Sequence, residues 1–116
     1  MKKKYRIMTN KKPAIDLYVA GSFLERLRGL LGTQTLAAHT GLLLIDCYAI
    51  HMFFMRYALD IVYVDADFRI VKSVADLRPW HISGCCKARH VIELPAGTVE
   101  TYGWQIGDKI IILSTE

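Results

Sequence analysis

The chain has 116 residues, 53% hydrophobic and 22% charged, which points to one folded domain and excludes a disordered chain. Its longest apolar stretches, residues 41–45 and 61–64, fall far short of the ~20 residues that cross a bilayer, so no transmembrane segment is expected. The net charge of +4 is local: Lys2, Lys3, Lys4, Arg6, Lys11 and Lys12 supply six of the 15 basic residues, and the other 104 positions carry nine basic and 11 acidic side chains.

Residues 1–12 therefore read as a flexible basic tail, with room for a short strand over residues 5–8, and residues 13–116 as a single domain. No apolar run follows the basic start, as a secretory signal would require, so a soluble, cytoplasmic protein is expected. Cys47, Cys85 and Cys86 are an odd number of thiols, which argues against a disulfide framework.

In chain order, residues 14–20 alternate as a strand does. Gly21 breaks the strand. Ser22 with Glu25 three residues on forms a capping-box pattern, and Phe23, Leu24, Leu27, Leu30 and Leu31 then recur at helical spacing up to Gly32. Residues 33–40 read as a connector and residues 41–45 (GLLLI) as a buried strand. Residues 46–56 (DCYAIHMFFMR) are mostly apolar; as a strand they place His51, Phe53 and Met55 on one face and Met52 and Phe54 on the other.

Residues 58–74 predict a β-hairpin. Its arms are rich in β-branched residues, and Asp65, Ala66 and Asp67 suit the turn, because Asp bonds its own backbone and tolerates left-handed geometry. Residues 75–88 read as a loop holding Pro79, Gly84 and the vicinal cysteines. Residues 90–94 predict a strand and residues 98–102 a short helix, opened by Pro95-Ala96-Gly97 and closed by Gly103. Gly107-Asp108 makes a turn before a last strand over 109–113.

Several of these pieces stand in a known order. Arg28-Gly29-Leu30-Leu31, Gly41-Leu42-Leu43-Leu44, the stretch 51–55, Leu59-Asp60-Ile61-Val62-Tyr63-Val64-Asp65, Glu93-Leu94-Pro95-Ala96-Gly97 and Gly107-Asp108 together resemble the DUF192 family, also called UPF0127. It is a family of small uncharacterised bacterial and archaeal proteins. The likeness covers about residues 14–113. It implies an α+β fold: a single compact β-rich domain, a small barrel-like sheet with one or two short helices packed on it. It implies no established enzymatic activity. The family usually has an aromatic-Trp-Met-Lys-Asn stretch before Pro-Leu-Asp. This chain has Phe53-Phe54-Met55-Arg56-Tyr57, then Ala58-Leu59-Asp60, and its three cysteines lie outside the family pattern.

Asp60 is the carboxylate of most interest, because it sits inside an apolar strand and must be paired or hydrogen-bonded there. Arg28, Arg56 and Arg89 are its candidate partners. One reading is a binding anchor or general base, with Glu93 as second carboxylate; the other is a structural pair that fixes sheet register. The binding reading gathers Asp60, His51, Arg28, Glu93 and Trp80 around a small polar pocket, in a non-enzymatic binding or accessory module whose partner is an unknown small molecule or protein.

The alternative is a thiol- or zinc-dependent protein using Cys47, His51, Cys85 and Cys86, with His81 and His90 nearby in sequence. Zinc takes four such ligands in a tetrahedron. If the segment is a strand, however, Cys47 and His51 stand ~13 Å apart, and adjacent cysteines are not the usual spacing. No cofactor is otherwise expected. No phosphate-binding loop, nucleophile elbow or serine triad is present. Trp80 and Trp104 read as caps on the core edge, and without a recognition helix or interleaved basic and aromatic residues no nucleic-acid partner is expected.

Overall fold

The computed structural model describes residues 3–9, 12–20, 39–53 and 55–114. They form β1 (Lys3–Thr9), β2 (Lys12–Ala20), β3 (Thr40–Leu44), β4 (Ala49–His51), β5 (Leu59–Val64), β6 (Ile70–Leu77), β7 (Ile82–Gly84), β8 (His90–Pro95), α1 (Thr98–Tyr102) and β9 (Ile111–Ser114). The helix expected over residues 22–31, and Arg28 with it, lies outside the described residues. Among those described, no helix is long and apolar enough to cross a membrane.

Seven strands make one sheet in the order β6-β5-β8-β3-β2-β1-β9, and β4 and β7 make a separate two-stranded ribbon. Every neighbouring pair is antiparallel except β2 and β3. The expected barrel-like closure is not reached. The segments leading into the two end strands meet at an isolated bridge, Arg69 to Lys109, flanked by bonds from the Ile70 N–H to the Asp108 carbonyl at 2.9 Å and from the Ile110 N–H to the Phe68 carbonyl at 2.8 Å. Beyond it β9 pairs with β1, from Met8 opposite Ile111 to Tyr5 opposite Ser114, while its other edge is not joined to β6 in the sheet, and the seam stays open. The fold is a mostly-β domain built on an open mixed sheet.

The basic segment belongs to that sheet: β1 lies between β2 and β9. Its sequence signal is the alternation Lys4-Tyr5-Arg6-Ile7, the period of a strand, overshadowed by its charge.

β5 lies between β6 and β8, and all six of its residues are buried. Leu59, Ile61 and Tyr63 join Leu42, Leu44, Val91, Ile50, Met52 and Met55 on the ribbon side. Val62 and Val64 join Leu17, Leu43, Ile92, Leu94, Tyr102 and Trp104 on the helix side. A strand covered on both faces reads as a nearly unbroken apolar run; Asp60 is the exception.

The hairpin forms as the sequence predicts. The Asp65 carboxylate accepts the N–H groups of Asp67 (2.9 Å) and Arg69 (3.0 Å), and the Phe68 N–H bonds the Asp65 carbonyl. Two segments differ from expectation. Among the described residues of 46–56 only Ala49–His51 is strand. A turn follows, closed by the Met55 N–H on the Met52 carbonyl at 3.2 Å, so Phe53 is exposed while Met55 is buried. The expected loop 75–88 instead extends β6 to Leu77 and contains β7. The three residues of β7, Ile82–Gly84, are too few to show a period.

Candidate functional site

Asp60 is fully buried on the helix side of β5. One carboxylate oxygen accepts the Asp76 N–H at 2.9 Å. The other accepts the N–H groups of Gly97 (3.1 Å) and Val99 (2.9 Å). These last two are orphan donors at the start of α1, whose N-cap, Gly97, has no side chain to satisfy them and lies in the left-handed region at φ 93°. Asp60 thus caps a helix from a distant strand and ties the end of β6 to the same point. Its partners are backbone N–H groups, not Arg56, which is exposed, nor Arg89, which pairs with Asp46 at 2.7 Å.

The other expected site residues lie elsewhere. Glu93 is buried on β8 and alternates onto the ribbon side with Val91. His51 and Trp80 are on the ribbon layer, across the sheet from Asp60. Between them stands Phe53: its ring centroid is 4.7 Å from that of His51 at 31° and 5.8 Å from that of Trp80 at 29°. The structure therefore joins His51 and Trp80 into one aromatic strip and leaves Asp60 on the opposite face.

Backbone contacts hold this strip in place. The Trp80 N–H bonds the Met52 carbonyl at 2.8 Å, and the Met52 N–H bonds the His81 carbonyl at 2.8 Å. Trp80 sits at φ 70°, a conformation unfavourable to a bulky residue, and its side chain is 59% exposed. Tyr48 and Ile82, 64% and 70% exposed, extend the apolar surface along the same ribbon. Trp104, by contrast, is buried in the helix-side core. The signal for the strip was available in sequence as Phe53 and Trp80, but their meeting depends on the unforeseen β7.

The thiols do not gather into a metal site. Among the described residues no group of three or more His, Cys, Asp or Glu side chains is arranged to hold a metal ion. Cys47 is buried, and its thiol donates to the Ala49 carbonyl at 3.1 Å. Cys85 is half-buried against the same core, and Cys86 is exposed. His51 stands on the ribbon against Phe53. The Tyr63 hydroxyl donates to Ser83 at 3.0 Å, pinning β5 to β7. Burial pushes that hydroxyl above its ordinary range; the Ser83 bond opposes the shift, and Cys47, Cys85 and Glu93 add to it. A shallow groove of about 520 Å³ at the open seam, lined by Phe68, Lys109 and Ile110 among others, contains none of the expected site residues.

His90 anchors the ribbon to the sheet. Its Nδ1 accepts the Asp46 N–H at 3.0 Å, so in this state the ring is neutral with its proton on Nε2. The ring stacks on Phe68 at 5.0 Å. Burial holds its pKa below the ordinary 6.5, with Asp46 opposing and Arg89 adding to the shift. Asp46 itself lies below the ordinary carboxylate range through its bond to Arg89 and that residue's charge. The unfolded chain takes up the His90 proton first, so just below pH 6.5 it binds more protons than the folded state. Stability is full above that pH and is expected to fall as the pH drops through it. Urea midpoints across about pH 5 to 7.5 for the native chain and His90→Gln check this; an equal fall in the variant refutes it.

An open mixed sheet, covered on one face by a short capped helix and on the other by an aromatic ribbon, defines a mostly-β domain with no metal cluster among the described residues. Residues 6–112 match the DUF192 family model, described as an uncharacterized ACR, and the chain belongs to that family. A UPF0127 protein of the archaeon Pyrococcus horikoshii is 34% identical over 99 residues, covering 82% of this chain and 85% of its own. Two crystal structures share the fold. A putative transcription regulator from Sinorhizobium meliloti superposes with a TM-score of 0.80 at 22% identity, over 95% of this chain and 92% of that one. A protein of unknown function from Novosphingobium aromaticivorans gives 0.77 at 20% identity, over 93% and 83%.

Proposed function

We propose that this DUF192 protein is a non-enzymatic binding module whose working surface is the aromatic strip on the β4–β7 ribbon rather than a pocket at Asp60. One observation carries the reading: Trp80 is 59% exposed, in an unfavourable backbone conformation, yet fixed by backbone bonds and stacked on Phe53. Core packing does not explain a large ring stacked on Phe53 in water, whereas exposed aromatic side chains are the groups that binding surfaces present. Asp60 fits the alternative role, since its two oxygens serve three backbone donors.

The test uses tryptophan emission, because Trp80 is exposed and Trp104 is 6% exposed, so a ligand on the strip perturbs one and spares the other. The full chain is titrated with an oligonucleotide, polyglutamate and a neutral oligosaccharide as probes. One of them is expected to quench or shift the exposed component, and Phe53→Ala is expected to weaken that response. No response from any probe overturns the reading.

A further inference from the structure

The chemistry around the strip narrows its partner. Residues 47–58 and 77–90, which carry the ribbon and its flanking turns, contain Arg56, Arg78, Lys87 and Arg89 and no Asp or Glu. Arg89 is spent on Asp46. Arg56, Arg78 and Lys87 are exposed, and the acid at the border, Asp76, stands 3.9 Å from Arg78 with both side chains largely in solvent, a separation and exposure that bind weakly. The ammonium of Lys72 also reaches this layer, donating to the Gly84 carbonyl at 2.8 Å. Three exposed cations, Arg56, Arg78 and Lys87, thus lie on the segments that carry the rings of His51, Phe53 and Trp80, with Asp46 and Asp76 at their borders.

We infer that this surface binds single-stranded nucleic acid, its bases stacking at the Trp80–Phe53 edge and its phosphates meeting Arg56, Arg78 and Lys87. The inference rests on the proposed binding role of the strip. A neutral sugar matches the rings and leaves the cations unused; an acidic peptide matches the cations and leaves the rings without flat partners. Unpaired bases on a charged backbone match both, and stacking platforms within basic surfaces are how such strands are held without sequence preference. From the sequence no nucleic-acid partner is expected, because Phe53 and Trp80 come together only once β7 folds against β4.

The test is binding of a labelled oligothymidylate of about 12 nucleotides to the full chain, read by anisotropy. Trp80→Ala is expected to weaken it by about 5- to 150-fold, the range for losing one base–aromatic stack. The logarithm of affinity is expected to fall with the logarithm of salt with a slope of about −2 for three phosphate contacts, and Arg78→Gln to flatten that slope by about 0.7. Inorganic polyphosphate, which has charge without bases, is expected to compete poorly.

Binding that is unchanged in Trp80→Ala, or equally strong to polyphosphate, belongs to the N-terminal lysines or to charge alone and overturns the inference. Ring-dependent binding of polyglutamate with none of the oligonucleotide also overturns it, while leaving the binding role of the strip intact. Silence from every probe overturns both.

Discussion

Replacing Asp60 with alanine is expected to lower the free energy of unfolding by about 3–5 kcal/mol. The substitution strands three backbone N–H groups, those of Asp76, Gly97 and Val99, and a buried donor without an acceptor costs about 1–3 kcal/mol. The total falls below the simple sum because Asp76 and Gly97 lie at the surface and water reaches them once the carboxylate is gone. Set against the 5–15 kcal/mol that holds a typical domain together, this is a large fraction, about 2 M in urea midpoint. Asp60→Asn separates charge from shape. Its amide keeps one accepting oxygen and turns an NH₂ toward a backbone donor, so it is expected to cost about 2 kcal/mol, between native and alanine. An alanine variant that loses less than about 1 kcal/mol would show that the start of α1 does not depend on this carboxylate.

Asp60 also shows where sequence reasoning reaches and where it stops. A single acid within Leu59-Asp60-Ile61-Val62-Tyr63-Val64 was legible as a buried carboxylate that needs partners, because the cost of burying a bare charge does not depend on the fold. Its partners were not legible. They are backbone groups 16, 37 and 39 residues away, and an N–H has no identity in a sequence, whereas an arginine does. The hairpin, β3, β8 and α1 were legible from period and turn chemistry, which are local. The ribbon was not. Ile82–Gly84 is a strand because it pairs with Ala49–His51, not because three residues prefer to be one. The aromatic strip inherits that opacity: Phe53 and Trp80 lie 27 positions apart and meet through the Met52 carbonyl. Barrel closure, implied by resemblance, is a long-range property of strand ends, and here the seam is bridged only at Arg69 and Lys109 among the described residues, so the sheet stays open.

The second large effect is expected at Gly41, where the sheet admits no side chain. On β3 this residue sits opposite Leu17 of β2. A methyl built on it stands 2.8 Å from Leu94 Cδ2, 3.2 Å from the Glu93 carbonyl and 3.3 Å from Leu17 Cδ1. Leu94 and Leu17 are fully buried in the helix-side core, so neither withdraws without displacing others. Strand entropy favours replacing glycine by up to about 1 kcal/mol, and overpacking opposes it by about 1–3 kcal/mol or more. For Gly41→Ala the two nearly offset, with a net loss of about 1 kcal/mol. Gly41→Val adds two more methyl groups to the same space and is expected to lose about 3 kcal/mol. Trimming the obstructing neighbour tests the cause. Leu94→Ala alone costs about 2–5 kcal/mol as a cavity, but in the double variant the valine fills what the leucine vacated. The two losses are therefore expected to fall short of additivity by about 1 kcal/mol or more. Strictly additive urea midpoints would place the strain at the Glu93 carbonyl, and so in the register of β3 against β8 rather than in the core.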